Sequence, residues 1–251
     1  MVRLVQITDC HLGAEKFFIS HGVNTYESFS KVLHEISTKS PPSLIIASGD
    51  ISSSGEKCSY QLFSDVMESS LIPYRWLPGN HDDFFLMNNI IVQPFVRVEK
   101  QENWAIISLV SVDPGSVAGV LAKDEIEQLK NLLQNCQNYF VLLFVHHHPV
   151  NINSRWLDEH CISNNRQFEE ILAQYDNVRG IFTGHVHQER VTNWNDLLVY
   201  NTPSTCFQFA SDVERFQLGE QAPGYRWIEL YPDGSFDTGV NYLEAWHAGM
   251  D

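Results

Sequence analysis

Short apolar runs, each bounded by turn-forming residues, recur along most of the chain. Six of them have the length of a buried β-strand, and they cover residues 4–7, 44–47, 75–77, 105–109, 140–145 and 178–182. Several intervening segments repeat apolar residues every three to four positions, which predicts helices within residues 26–36, 126–133 and 168–175. Asn24, with Glu27 three residues later, predicts a capping box at the start of the first helix.

The pattern changes after Gly184, where strand-like pieces follow one another without helical spacing. These pieces cover residues 197–200, 226–230 and 236–240, and a Pro232-Asp233-Gly234 turn joins the last two. The whole pattern predicts the fold class α/β, as a mixed sandwich with an antiparallel C-terminal portion. We find no internal repeat, low-complexity tract or obvious linker, so we expect a single domain over residues 1–251.

The composition is that of a chain able to form one sizeable core. Hydrophobic residues make up 43% and aromatic residues 12% of the 251 residues. No stretch approaches the roughly 20 apolar residues of a membrane span, and the N-terminus opens into a strand-like run instead of a signal peptide. The five cysteines are scattered without a C-x-x-C pair, which indicates reduced thiols. We therefore expect a cytoplasmic protein with no membrane contact, and by default a monomer.

The charge balance narrows the range of partners. There are 16 basic and 31 acidic residues, and the formal net charge is −15. Such a charge opposes binding to nucleic acid or to an anionic membrane surface. An anionic substrate must therefore meet positive charge that is concentrated locally, and bound metal cations are one source of it.

Side chains able to bind metals stand directly after the predicted strands. In open α/β sheets, ligand sites lie beyond the carboxyl ends of strands, where several loops converge. Seven of the 11 histidines fall in these segments, so their clustering indicates a function. The segments are Asp9-Cys10-His11, Gly49-Asp50, Gly79-Asn80-His81-Asp82, His146-His147-His148-Pro149 and Gly184-His185-Val186-His187.

The spacing within two of these segments suits paired ligands. In extended backbone, residues two positions apart point to the same side. Asp9 with His11, and His185 with His187, are therefore expected to present two ligands each, with the intervening residue facing away. The glycines in the segments would allow close backbone approach. A lone Asp-x-His or Gly-Asp is typical of an ordinary strand end, whereas the ordered combination indicates a metal centre.

The five segments, in this order, resemble those of the calcineurin-like binuclear metallophosphoesterases. Further short matches extend almost to the end of the chain and resemble the bacterial class III 3′,5′-cyclic AMP phosphodiesterases. They comprise Gly22-Val23-Asn24-Thr25, Trp76-Leu77-Pro78, Trp156-Leu157-Asp158, Gln188-Glu189, Thr202-Pro203-Ser204-Thr205-Cys206 and Pro223-Gly224-Tyr225-Arg226. The resemblance implies a metallophosphoesterase-type four-layer α/β/β/α sandwich with mixed sheets.

The resemblance also implies two divalent metal ions per chain. It gives one ion the ligands Asp9, His11, Asp50 and His187, and the other ion Asp50, Asn80, His185 and one histidine of the triplet. Asp50 would bridge the ions, because a carboxylate has two oxygens that can each coordinate a cation. The His-x-Pro spacing favours His147 of the triplet, whereas a one-residue shift at the strand end would select His146.

The ligand types also bear on the choice of metal, and the third histidine of the triplet has a separate expected role. A mixed oxygen and imidazole ligand set disfavours calcium and is compatible with iron, manganese or zinc. Iron and manganese are the ions we expect first, with zinc as an alternative. His148 is expected to have a structural role, as a hydrogen-bonding residue beside the ligands.

A two-metal centre of this kind predicts hydrolysis of a phosphate ester, with a metal-bridging hydroxide attacking phosphorus. We expect His81 to act as general acid on the departing ribose oxygen, with Asp82 orienting it. These two are the predicted catalytic side chains. The residues expected around the bound substrate are His11, Asp50, Asn80, His81 and His187.

The leading hypothesis is an enzyme that converts the cyclic nucleotide 3′,5′-cyclic AMP to 5′-AMP. One alternative is a metallophosphoesterase for another small phosphodiester or for a phosphomonoester. A second alternative is a non-catalytic nucleotide-binding scaffold. Such a scaffold needs no complete ligand set, whereas every ligand position here carries a competent side chain, which favours an enzyme.

Overall fold

The computed structural model describes residues 1–244. Its strands are β1 (Val2–Ile7), β2 (Ile19–Ser20), β3 (Val23–Asn24), β4 (Leu44–Ser48), β5 (Tyr74–Leu77), β6 (Val98–Gln101), β7 (Trp104–Leu109), β8 (Phe140–Val145), β9 (Val178–Thr183), β10 (Arg190–Trp194), β11 (Leu197–Asn201), β12 (Gly224–Leu230) and β13 (Phe236–Tyr242). Its helices are α1 (Thr25–Lys39), α2 (Lys57–Ser69), α3 (Phe84–Ile90), α4 (Lys123–Asn135), α5 (Arg155–Asp158) and α6 (Asn165–Leu172).

Most of these strands form two sheets. The first has the order β13-β12-β1-β4-β5, and the second has the order β10-β11-β9-β8-β7-β6. In the first sheet β1, β4 and β5 are parallel, while β12 is antiparallel to both of its neighbours. In the second sheet β7, β8, β9 and β11 are parallel, and β6 and β10 are antiparallel edge strands. Both sheets are therefore mixed.

Side-chain alternation along the inner strands builds four layers. Ile45 of β4 packs in one apolar cluster with residues of α1, α2 and α3, whereas its neighbour Ile46 packs in a second cluster between the sheets. In β8, Leu143 packs with α4 and α6, and Leu142 packs between the sheets. Because both faces of these strands are covered, the strands are apolar almost throughout. The layers run α/β/β/α, which confirms the predicted sandwich.

The predicted elements correspond to β1, β4, β5, β7, β8, β9, β11, β12 and β13 and to α1, α4 and α6. Asn24 caps α1, because its side-chain oxygen accepts a hydrogen bond from the Glu27 N–H at 3.0 Å. The expected antiparallel C-terminal portion is present in the pairs β12–β13 and β10–β11, while β11 also runs parallel to β9. Among residues 1–244, every helix falls short of the length and apolar character that a membrane crossing requires.

Candidate metal centre

The predicted ligand segments meet where the parallel strands of the two sheets end. The loops after β1 and β4 are bonded to each other, because Asp9 N–H donates to the Gly49 carbonyl oxygen at 3.0 Å and His11 N–H to that of Asp50 at 2.9 Å. The loops after β8 and β9 are joined by Gly184 N–H, which donates to the His146 carbonyl oxygen at 3.0 Å. The ligand loops of each sheet are thus held together by main-chain hydrogen bonds.

Five of the eleven described non-glycine residues with positive φ are predicted ligands, namely Asp9, His11, Asp50, His185 and His187, with φ between 44° and 67°. A non-glycine residue in the left-handed region is strained, and such residues cluster at functional sites. The expectation of extended segments is therefore wrong for both Asp-x-His and His-x-His. These ligands lie on tight left-handed turns that begin where β1 and β9 end.

The turns still separate ligand from non-ligand side chains as predicted. Cys10 is fully buried in the apolar cluster under the helices of the first sheet. Val186 packs with Ile152 and Leu157. Alternate side chains thus face opposite directions as predicted, although the backbone forms a turn and not a strand.

Two glycines give the ligands the space they occupy. A Cβ on Gly79 would lie 2.2 Å from Asp50 Oδ1, and a Cβ on Gly184 would lie 2.7 Å from Asp9 Oδ2. Neither position would accept a methyl group without displacing a ligand. The predicted close backbone approach is present at both positions.

Asp9, His11 and His187 form a first group of ligand atoms, all within 4.8 Å of one another. His187 Nε2 lies 3.3 Å from Asp9 Oδ1 and 3.2 Å from His11 Nε2. His187 Nδ1 lies 2.7 Å from the Phe207 carbonyl oxygen. Since only a protonated Nδ1 can donate to that carbonyl, the lone pair of the neutral ring lies on Nε2 and faces the group.

Asp50 lies between this group and a second one. Its Oδ2 is 3.8 Å from His11 Nε2 on one side and 3.3 Å from His146 Nε2 on the other. Its Oδ1 accepts a hydrogen bond from the His81 N–H at 2.9 Å. The second group consists of nitrogens of His146, His147 and His185, again within 4.8 Å of one another.

Two histidines of the triplet belong to the second group, and either could be a metal ligand. His146 Nδ1 lies 2.8 Å from the Ser48 carbonyl oxygen, and its Nε2 has no hydrogen-bond partner among the described residues. His147 Nδ1 lies 2.7 Å from the Ser111 hydroxyl, and its Nε2 lies 3.2 Å from the Val117 carbonyl oxygen. His146 therefore has a free nitrogen facing Asp50. His147 has contacts at both ring nitrogens, so it would have to lose one of them, such as that with the Ser111 hydroxyl, in order to bind a metal.

The side chains present fit metal ions. Three buried atoms of the centre, His146 Nε2, His185 Nε2 and Asn80 Oδ1, lack hydrogen-bond partners within residues 1–244. Buried polar atoms are normally bonded, so each is open to a metal. Imidazole and oxygen donors without thiolate suit iron, manganese or zinc.

Burial and neighbouring charges set the protonation of these ligands. Burial lowers the pKa of His11 to about 3 and also lowers that of His185, which keeps both imidazoles neutral. Burial alone would raise the pKa of Asp50, but His146 holds it well below its usual range. Burial alone would lower the pKa of His146, but Asp50 and Asp9 raise it to about 9. The two carboxylates thus attract positive charge to the place where a cation would lie.

His81 lies at the exposed mouth of the centre. Its Nδ1 is 2.9 Å from the Ser53 carbonyl oxygen, and its ring meets that of His11 edge-on with centroids 4.9 Å apart. Asp82, which is predicted to orient His81, makes hydrogen bonds that join neighbouring loops. Its carboxylate accepts from the N–H groups of Ile51, Ser52 and Gly79 and from the Tyr60 hydroxyl.

A cavity of about 210 Å³ above the ligands opens between aromatic side chains that sequence reasoning missed. The Phe209 ring stacks on His187, with centroids 4.2 Å apart and planes at 19°. Trp156 meets Phe209 edge-on at 4.9 Å, and Phe207 and His21 also line the cavity. The alternation of Phe207 and Phe209 just after the 202–206 motif is the signal that could have indicated them.

Comparison with known proteins identifies the class to which this fold and this set of ligands belong. Residues 2–189 match the calcineurin-like phosphoesterase family, and that range contains every ligand segment described above. The chain belongs to this family, and the match indicates a metal-dependent hydrolase.

The chain also has close relatives with named activities. It is 37% identical over 247 residues to the 3′,5′-cyclic adenosine monophosphate phosphodiesterase CpdA of Escherichia coli (strain K12), covering 96% of this chain and 90% of the relative. It is 35% identical over 249 residues to the protein of the same name from Pseudomonas aeruginosa, covering 97% and 90%.

A solved structure supports the fold alone. The dimetal phosphatase from Danio rerio superposes with a TM-score of 0.64 at 10% identity, covering 90% of this chain and 94% of that one.

Proposed function

We propose that this protein is a phosphodiesterase that hydrolyses 3′,5′-cyclic AMP to 5′-AMP at two divalent metal ions. The observation that carries the proposal is the position of the Asp50 carboxylate between two groups of candidate ligands, the second of which contains unpartnered buried donor atoms. Similarity to cyclic AMP phosphodiesterases over 96% of the chain supports the substrate.

The ligand sets follow the two groups of side chains. Asp9, His11, Asp50 and His187 would hold one ion. Asp50, Asn80, His185 and one histidine of the triplet would hold the other. When bound, such a pair lowers the pKa of a water molecule and neutralises charge on the phosphoryl oxygens.

For the triplet, His147 is the proposed ligand on its His-x-Pro spacing, and the free Nε2 makes His146 the competitor. We expect His147→Gln to lose one metal equivalent and His146→Gln to retain both. The reverse result in a metal analysis would exchange their roles.

His81 is the proposed general acid. Its Nδ1–H donates to the Ser53 carbonyl oxygen, which fixes the ring. The other ring nitrogen is then free to donate a proton to the ribose 3′ oxygen as its bond to phosphorus breaks. General-acid catalysis of this kind contributes about 10² to 10⁴ in rate.

The aromatic mouth suits a nucleoside. Phe207, Phe209 and Trp156 present ring faces and edges beside His187, so a base could stack there while its phosphate reaches the ligands. Aromatic stacking of a base contributes about 1–3 kcal/mol and tolerates any base. Stacking therefore supports a substrate that carries a nucleobase.

The test combines metal analysis with a substrate panel. We expect two metal equivalents in the wild type and loss of phosphodiester hydrolysis in Asp50→Ala and Asn80→Ala. Asn88→Ala, at an exposed position of α3, is the matched control and should keep full activity. Undiminished activity in both ligand variants would defeat the mechanism.

The panel comprises cyclic AMP, cyclic GMP, 2′,3′-cyclic AMP and a generic aryl phosphodiester. Cyclic AMP is expected to be turned over fastest. If cyclic AMP were turned over no faster than the aryl ester, cyclic AMP would be excluded as the specific substrate, while the assignment as a phosphoesterase would stand.

A further inference from the structure

A second cluster of metal-binding side chains lies beside the binuclear centre and is not used by it. His148, Asp158 and Cys161 bring a ring nitrogen, a carboxylate oxygen and a sulfur within 4.8 Å of one another. His148 follows β8, Asp158 is the last residue of α5, and Cys161 lies three residues further on. Three donor types therefore converge from the loop after β8, the end of α5 and the turn that follows α5.

His148 is the residue whose surroundings need an explanation. Its side chain is fully buried, and the backbone of Leu157 lies near the ring. Neither ring nitrogen, however, makes a hydrogen bond of normal geometry with any described residue. A neutral imidazole has one N–H donor and one acceptor nitrogen, and an unsatisfied buried polar group costs about 1–3 kcal/mol. The structural role predicted for His148 leaves both nitrogens unexplained, whereas a bound cation would use one of them.

The other two side chains, Asp158 and Cys161, are held in place and still have atoms that could coordinate a metal. Asp158 Oδ1 accepts a hydrogen bond from the Ile152 N–H at 2.7 Å, which fixes the carboxylate and leaves its second oxygen. Cys161 Sγ lies 3.5 Å from Asn151 Oδ1, so that amide oxygen is near enough to complete a coordination sphere. Nitrogen, oxygen and sulfur ligands in a four-coordinate set are those that zinc prefers.

A route from solvent leads to the cluster. Asp158 and Cys161 are both partly exposed. Asp158 also lines a surface cleft with Glu159, Asp212 and Glu214, with Arg155 as the basic residue of that cleft. An excess of carboxylates raises the local concentration of cations.

We propose that His148, Asp158 and Cys161 form a third metal site, of zinc type, with Asn151 or water at the fourth position. On binding, the Cys161 S–H bond breaks, its proton passes to water, and a sulfur–metal bond forms without any change of oxidation state. The His148 ring stacks on that of His185 with centroids 5.9 Å apart and planes at 21°. An ion at this site would thus hold His148 against a ligand of the binuclear centre.

Cobalt spectroscopy separates this site from the binuclear centre, because only the third site offers a thiolate. The full-length protein is stripped with a chelator and then titrated with Co²⁺, and in parallel with Zn²⁺. We expect three bound equivalents and a near-ultraviolet thiolate-to-cobalt charge-transfer band. Cys161→Ser should bind two equivalents and lose the band. Cys58→Ser, at an exposed cysteine of α2, is the matched control and should keep both.

Several outcomes would overturn the proposal. A wild-type protein that binds only two equivalents, or binds three without the band, contains no site of this kind. A Cys161→Ser protein that retains the third equivalent shows that the ion is held by the acidic cleft only. Cys161→Ala gives the same comparison independently, with folding of each variant checked by circular dichroism.

Discussion

Gly79→Ala is the substitution whose effect on the metal centre follows most directly from the geometry. The added Cβ would lie 2.5 Å from Asp50 N and 2.2 Å from Asp50 Oδ1, and real Cβ contacts are essentially never shorter than 3.0 Å. The backbone at residue 79 and the backbone at residue 50 must therefore separate by at least about 0.5 Å. Overpacking of this kind destabilises a protein by about 1–3 kcal/mol.

The separation also moves the carboxylate shared by the two ligand groups. The His81 N–H that donates to Asp50 Oδ1 at 2.9 Å moves with residue 79, so its hydrogen bond is strained as well. Disturbing groups that support a metal ligand typically lowers metal affinity or activity by about 10- to 100-fold. We expect Gly79→Ala to lower metal affinity by about that factor and to lower phosphodiesterase activity at least as much.

Gly115→Ala provides a control with a similar stability loss and no contact with the centre. Gly115 has φ of +84° and nothing within 4 Å of an added Cβ. Gly115→Ala should therefore lower the free energy of unfolding by about 1–2 kcal/mol through backbone strain alone. Urea unfolding measures both stabilities, and mass spectrometry of the metals measures occupancy. A Gly79→Ala protein with wild-type metal affinity and activity would refute the reasoning, as would equal metal loss in Gly115→Ala.

Three further predictions concern proton transfer, substrate binding and pH. His81→Gln should lower kcat by about 10² to 10⁴ while leaving two bound metal equivalents, and a variant with unchanged kcat would exclude His81 as the acid. Phe209→Ala should raise KM for cyclic AMP by about fivefold or more, since about 1–3 kcal/mol of base stacking is lost. KM for a dialkyl phosphate, which has no ring to stack, should change little, and equal effects on both would argue against stacking. The pKa of His146 is raised from 6.5 to about 9 in the folded metal-free protein. The folded state therefore binds more protons between those values, so its unfolding free energy should fall by up to about 3 kcal/mol as pH rises from 6.5 through 9. In His146→Gln this slope should disappear, and a persistent slope in urea unfolding at several pH values would contradict the assignment.

The main strands and the ligand segments were predictable because both are local signals. A strand buried on two faces is a continuous apolar run, and polar residues at its end are read directly from the sequence. Helix α2 was not predicted, because buried Ser59 and Ser64 interrupt the apolar spacing of its inward face. The inward face of α2 is buried by packing against the first sheet, and this tertiary contact is not visible in the sequence of the helix itself.

The finer geometry of the site was not readable from local pattern. The left-handed φ of Asp9 and His187 is imposed by contacts between loops, since neither residue type favours that region strongly enough to predict it. The hydrogen bonds of Asp82 join segments about 30 residues apart in sequence, so its partners are not visible in the sequence around it. The cluster of His148 with Cys161 likewise depends on how the chain after β8 folds back.

The proposed ligands of the binuclear centre follow strands of both sheets. Asp9, Asp50 and Asn80 follow strands of the first sheet, whereas His185 and His187 follow a strand of the second. Ions bound there would cross-link the two sheets of the sandwich, because the sheets could not separate without breaking metal–ligand bonds. Binding at 100 times the dissociation constant adds about 2.7 kcal/mol to the stability of a folded state. The melting temperature of the protein should therefore rise with the concentration of free metal ion.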